Sequence, residues 1–207
     1  MVGWSHMMTY TTKTFELPKL TGLSEKQVEA HLGLYQGYVK HLNLIMEKLA
    51  AARSGELELD PYIVSELRRR FAFEFDGMWM HERYFEQFEE GPTPLSANSP
   101  LAEAAKEKYG GTEEFIAHIK EVAQSRGIGW VAVYWDPRAG TLHTVFVGDH
   151  EIGQLAGLPT LLVLDLWEHA FMVDYLPAEK KTYVDAFFAN LNWDVVENRF
   201  ASAVSAA

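Results

Sequence analysis

Four side chains with metal-binding chemistry stand at separations that let them meet. Asp165-Leu-Trp-Glu-His169 follows the apolar run Leu161-Leu-Val-Leu164. A carboxylate and an imidazole four residues apart, where a strand turns into a helix, can face one point. The plainer reading of the same spacing is an Asp that caps a helix and a His in the core. His81 lies late in a long amphipathic stretch with Phe73, Trp79, Tyr84 and Phe85, where a satisfied core histidine is the simpler account. His31 opens a stripe with Tyr35 and Tyr38, spaced i, i+4 and i+7 on one helix face. Taken together, three imidazoles and one carboxylate suit iron or manganese, with a position left for solvent or a small ligand. Zinc is the alternative metal.

Composition narrows the chemistry further. The 207-residue chain has no cysteine, which excludes disulfides, thiolate zinc sites, iron–sulfur clusters and thiol nucleophiles. Any metal must sit on His, Asp or Glu. A formal net charge of -11 argues against a nucleic-acid partner, which needs clustered Lys and Arg. The same charge repels an anionic substrate at long range, so an enzyme acting on one needs a locally positive entrance. No run of about 18 apolar residues and no cleavable leader is present, and the expectation is a soluble, cytoplasmic protein without a membrane partner. Met1 to Met8 resembles an expression-tag remnant and Ala201 to Ala207 a plain small-residue tail, so both, His6 included, are set outside the chemistry.

The elements that must position these residues follow from pattern. With 48% hydrophobic and 13% aromatic residues the chain can fill a core. Ser24-Glu-Lys-Gln27 is a capping-box pattern opening a helix to about Ala52. Asp60-Pro61 opens a second, to about Phe88 despite Gly77; a short Ser-Gly link makes the two an antiparallel hairpin. The turn-rich Gly91 to Pro100 divides the chain into an N-terminal helical hairpin domain, 9–90, and a C-terminal α/β domain, 99–200, with the metal site between them. In the second part, helices are expected from Pro100 to Gly110 and from Thr112 to about Arg126. Ile128 to Trp135, Thr141 to Val147 and Leu161 to Leu164 read as a small three-stranded antiparallel sheet, with Asp136 to Gly140 as a hairpin turn. Closing helices are expected over Trp167–Tyr175 and Pro177–Leu191, with a final turn from Asp194. The fold class is α+β.

Leu164-Asp165-Leu-Trp-Glu-His169-Ala-Phe resembles the Asp-x-Trp-Glu-His-Ala signature of the iron/manganese superoxide dismutase family. Phe15-Glu-Leu-Pro18, Trp79-x-His81, Gly129-Trp130 and Leu191-Asn-Trp193 also match its pattern, so the resemblance spans about Phe15 to Phe200. It implies a superoxide dismutase with one iron or manganese ion per chain, held by His31, His81, Asp165 and His169, with water or hydroxide as fifth ligand. It implies that Tyr38 is the gateway tyrosine and that Trp130 and Trp167 wall the site. Where many members carry a Gln that hydrogen-bonds the bound solvent, this chain has Gly77 at one possible position and His150 at the other, and His150 takes that role, as in a subset of the family. The implied partner besides superoxide is a second copy, in a homodimer or tetramer built around Glu168 and His169.

Three departures from the pattern carry expectations. One residue fewer separates His31 from Tyr38, so the first helix has lost a local bulge. The family's interface His is replaced by Leu34 or Tyr35, and the Tyr it meets by Phe171 or Met172. The entrance Arg is missing, with Lys180 or Lys181 as its stand-in. His41, His118 and His143 read as structural. A non-catalytic metal-binding or interaction scaffold is the rival reading, and an iron oxygenase or a hydrolase on the same ligands a second.

Overall fold

The computed structural model describes residues 9–206, so His6 and the remainder of Met1 to Met8 lie outside it. Two long helices, α1 (Glu25–Ser54) and α2 (Pro61–Glu86), pack against each other. At the start of α1, Ser24 Oγ accepts from Gln27 N at 3.1 Å, and Gly55 ends the helix at φ 82, a left-handed cap open to glycine. Asp60 caps α2 on Tyr62 N at 2.8 Å, with Pro61 in the first turn. Residues Gln27, His31, Tyr35, Val39, Leu42 and Ile45 are the buried stripe of α1. The helix has no π interruption, as expected from the missing residue.

Behind the hairpin come α3 (Pro100–Tyr109), α4 (Thr112–Val122), and β1 (Gly129–Asp136), β2 (Thr141–Gly148) and β3 (Thr160–Asp165). The strands form one antiparallel sheet in the order β2-β1-β3. Asp136 Oδ1 accepts from Arg138 N at 2.9 Å and from Ala139 N at 3.2 Å and so closes the hairpin turn. Trp130 pairs with Asp165 across β1 and β3, which sets an indole beside the candidate carboxylate. The short helix α5 (Lys180–Asn190) and α6 (Trp193–Ser205) close the chain. Among the described residues no helix is long and apolar enough to cross a membrane.

The sheet is tied to the hairpin by side chains that replace main-chain pairing. Gln87 donates through Nε2 to Val163 O at 2.8 Å and accepts from Val163 N at 2.9 Å. Arg199 of α6 donates to Leu161 O, Arg83 O and Glu86 Oε2 at 3.0, 3.1 and 2.8 Å. A buried guanidinium is tolerated where its donors are satisfied in this way.

Two expectations are corrected. Trp167–Tyr175 is not a helix but one 3₁₀ turn, Glu168–Ala170, followed by tight turns. The cause is Gln27: its Nε2 donates to His169 O at 2.6 Å while its Oε1 accepts from Val173 N at 2.9 Å. Those two main-chain groups are the ones an α-helix would bond to each other, so the Gln27 amide stands between them. Of the supposed tail, Ala201 to Ser205 belong to α6, in which Ala203 is buried. Alanine is the best helix former, and a segment dismissed for small side chains instead extends a helix that Asn192 caps on Asp194 N at 3.1 Å.

Candidate metal centre

α1, α2 and the end of β3 bring His31, His81, Asp165 and His169 together, with one donor atom from each within 4.8 Å of the others. Asp165 Oδ2 lies 3.0 Å from His31 Nε2, 3.6 Å from His81 Nε2 and 3.4 Å from His169 Nε2. Asp165 is fully buried and its other oxygen, Oδ1, accepts from Trp167 N at 2.8 Å. Tyr183 Oη donates to Asp165 O at 2.7 Å, and Tyr84 Oη, 3.1 Å from Tyr183 Oη, completes that chain. Both ends of the Asp165 residue are therefore fixed.

Protonation follows from these contacts. His81 Nδ1 stands 2.6 Å from Gly77 O; a carbonyl only accepts, so Nδ1 carries the hydrogen and Nε2 turns its lone pair inward. Burial holds the His81 imidazole well below its ordinary range, with His31 adding to the effect. Burial also lowers His31, against the opposing pull of Asp165. Burial alone would raise Asp165, yet the His169 and His31 imidazoles outweigh it and hold the carboxyl below the usual range. Asp165 Oδ2 thus lies among three imidazole nitrogens, and the inward lone pair of His81 Nε2 meets His169 Nε2 at only 3.2 Å. Two such nitrogens facing each other repel unless a proton or a cation lies between them. Three nitrogens and one carboxylate oxygen are a donor set that iron or manganese takes, so the residues fit the metal.

Beside the cluster, Tyr38 and His150 form a second group. The His150 ring is wholly buried, not the solvated ring its loop position would allow. Trp130 Nε1, which can only donate, gives a 2.9 Å hydrogen bond to His150 Nδ1, and His150 Nε2 is 2.8 Å from Tyr38 Oη. The neutral ring then carries its proton on Nε2 and donates to Tyr38. Burial pushes His150 down to about 4 and Tyr38 up, so both are neutral near pH 7. Asp149, at φ 50, turns the chain, Trp167 Nε1 donates to Asp149 O at 3.2 Å, and Gln154 Nε2 donates to His150 O at 2.8 Å.

Gly77 explains why the second position carries the imidazole. A Cβ there would lie 2.6 Å from the Tyr38 ring, so no larger side chain enters from α2 while Tyr38 stays. Glycine within a helix costs about 1 kcal/mol relative to Ala, and here it admits the tyrosine.

The remaining candidates sort by place. Tyr35 is interior, its hydroxyl accepting from Lys13 N at 2.8 Å and donating to Glu82 Oε1 at 3.0 Å, whereas Leu34 is exposed. Phe171 is buried against Tyr183 and Met172 is exposed, so the surface pair is Leu34 and Met172. Lys180 Nζ donates to Ser125 O at 2.8 Å and Lys181 is exposed. Glu168 is exposed. His41 lies 3.9 Å from Glu74, His118 3.7 Å from Glu121 and His143 3.4 Å from Asp136, all apart from the cluster. Sequence reasoning gave Gln27 only the capping-box role, whereas Ser24 N donates to Asp174 Oδ2 at 2.6 Å and the Gln27 amide holds the turn of His169; it passed over Arg70, which shares a face of α2 with Glu74, Gly77 and His81.

A long helical pair and a small antiparallel sheet that bring three imidazoles and one carboxylate together define the class as an α+β protein with a candidate metal centre. Residues 97–199 match the family model of the iron/manganese superoxide dismutases, C-terminal domain. The chain is 34% identical to the iron superoxide dismutase of Aquifex pyrophilus over 194 residues, 90% of this chain and 88% of the relative. It is 34% identical to that of Cupriavidus metallidurans, over 91% and 94%, and 30% identical to the manganese/iron superoxide dismutase of Aeropyrum pernix, over 94% of each. The chain belongs to the iron/manganese superoxide dismutase family.

Proposed function

We propose that this protein is a superoxide dismutase that holds one iron or manganese ion on His31, His81, Asp165 and His169. The observation that carries this is the convergence of three imidazole Nε2 atoms on Asp165 Oδ2 in a buried place. The similarity to iron and manganese/iron enzymes along nearly the whole chain supports it. When bound, the ion supplies a one-electron redox couple, through which two superoxide anions and two protons become dioxygen and hydrogen peroxide.

The protein's own part is to hold charge and protons in place. One carboxylate among neutral imidazoles leaves a di- or trivalent ion with net positive charge, which attracts a small anion. Trp130, Phe73 and Trp167 pack around His150 and keep water from the inner face. Tyr38, whose ring lies 5.0 Å from that of His81, stays protonated and can donate its hydroxyl proton inward, because His150 already donates to its oxygen. With its two nitrogens committed to Trp130 and Tyr38, His150 acts through Tyr38 and not as the direct donor to bound solvent that the family resemblance implied.

A second copy of the chain is the fitting partner. Leu34, Met172, Val173 and Leu176 are exposed apolar side chains on α1 and on the turns after Glu168, and isologous pairing is the commonest symmetry. Light scattering should give a dimer or tetramer; a monomer at micromolar concentration would remove this part. The activity is tested by loading metal-free protein separately with iron and with manganese and measuring inhibition of nitroblue tetrazolium reduction by superoxide. At least one loaded form should inhibit, and His150→Ala should keep its metal while losing activity. Full loading without inhibition by either metal would refute the proposal.

A further inference from the structure

We propose that Arg70 is the positioning residue that supplies the local positive charge by which a small anion approaches the metal centre past Tyr38. The inference rests on the function proposed above and adds a residue to it. The chain carries a formal charge of -11, so an anion meets a repulsive field unless some cation stands at the entrance. Lys180 does not serve, because its ammonium is bound to Ser125 O.

Arg70 is placed for the task by three contacts. Its guanidinium lies over the Phe73 ring, 3.6 Å from the centroid. That same ring meets His150, Tyr38 and Trp167 with centroid separations of 4.6, 6.1 and 6.3 Å. One aromatic ring thus separates the cation from the pair at the mouth. Nε donates to Glu74 Oε1 at 2.8 Å, which fixes the plane of the guanidinium, and among the described residues neither Nη is bonded to the protein. The side chain of Glu74 is buried, at 5% exposure, while that of Arg70 is 46% exposed. The pair therefore presents its positive member to solvent and its negative member to the interior. The adjacent Arg69 is engaged elsewhere, through a 2.9 Å contact with Glu66. The field of Arg70 adds to the fall of His150 caused by burial, while at Tyr38 it opposes the rise caused by burial and Glu74 acts more strongly the other way.

The test compares wild type, Arg70→Gln, Arg70→Lys, Arg70→Gln/Glu74→Gln and Lys180→Gln, each loaded with iron. Azide, a small monoanion, is titrated against the optical spectrum at low salt and at about 1 M salt, where screening acts within about 3 Å. Arg70→Gln should weaken azide binding about two- to fivefold at low salt, the effect of one unit charge acting through a partly solvated path. The difference should vanish at high salt. Arg70→Lys should stay within about twofold of wild type, and Lys180→Gln should equal wild type. The double variant should remain weakened, because the exposed cation and not the buried carboxylate faces the approach. Unchanged azide affinity in Arg70→Gln overturns the inference, as does a double variant restored to wild type or a wild type that binds no azide. kcat/KM for superoxide should follow the same salt pattern. A wild type that binds azide but does not dismutate superoxide refutes the proposed function, while the azide series still decides the role of Arg70.

Discussion

The inner end of the proposed metal centre and its proposed mouth at Tyr38 both draw on α1 and α2, yet they are held by opposite means. At the inner end three of the four donors are buried, His169 being partly exposed, and hydrogen bonds hold Asp165, His81 and the turn of His169 in place. Asp165 is held by Trp167 N at its side chain and by Tyr183 at its carbonyl, His81 by Gly77 O, and the turn that carries His169 by both ends of the Gln27 amide. At the mouth, Tyr38 hangs on a single partner, His150, and the outermost group, Arg70, rests on a ring face and one hydrogen bond. The difference fits the tasks. A buried ligand set must keep its geometry with and without its ion, since unpaired buried charge is costly, whereas a mouth must let small species and protons pass.

Changes at the inner end should therefore have the largest effects. Asp165→Ala removes the only carboxylate of the cluster and should abolish both activity and bound metal, read by elemental analysis after purification. A variant that keeps full metal would mean that the carboxylate ligand lies elsewhere. Gln27→Ala tests whether the ends differ as described, because it touches no donor atom. It leaves His169 O and Val173 N without their partner, which should cost about 1–3 kcal/mol of stability and weaken metal binding about 10–100-fold. If Tm falls but metal affinity does not, the turn is structural only and the inner end is less constrained than its hydrogen bonds indicate.

At the mouth the effect should be smaller and should leave the metal in place. Gly77→Ala brings a Cβ to 2.6 Å from the Tyr38 ring, and overpacking of this kind costs about 1–3 kcal/mol, more than the helix propensity it recovers. Lower Tm and lower activity at unchanged metal content are the expected outcome. A higher Tm would show that Tyr38 moves aside freely.

How far each end could be read in the sequence follows the same division. Asp165 and His169 lie in one short run, and His31 and His81 each sit on a helix face of period 3.6, so local spacing made them candidates, and the family resemblance joined them into one ligand set. The hairpin, the sheet and its antiparallel order were equally legible, since caps, prolines and alternating strands are local signals. The turn after Glu168 was not, because what breaks the helix there is Gln27, more than 140 residues earlier. His150 could be nominated only through family resemblance; its burial depends on Trp130 and Phe73, which no spacing rule brings to it. Arg70 was overlooked because an arginine on an exposed helix face is ordinary until the ring beneath it is known to touch Tyr38.

The smallest predicted effect lies behind the mouth, at Asp76, which neighbours Gly77 and shares Gln154 with the His150 loop. Its carboxyl is pushed up to about 6, first by burial and then by Glu151, with the Gln154 hydrogen bond opposing. The unfolded value is near 3.8, so the folded state favours the protonated form. Its contribution to stability is fully present below about pH 4 and is lost as pH rises through 6. Asp76→Asn keeps the shape and an acceptor for Gln154 while removing the charge, so Tm should match wild type near pH 4 and exceed it at pH 7. Because the group is only half-buried, solvent screening limits the gain to less than about 1 kcal/mol, at most about 2–4 °C for a chain of this size. A gain of equal size at both pH values would place the effect in packing, and no gain at pH 7 would mean that Asp76 is already ionised at little cost. Activity should follow stability only at the higher pH, where the wild-type carboxylate stands one residue from the glycine that makes room for Tyr38.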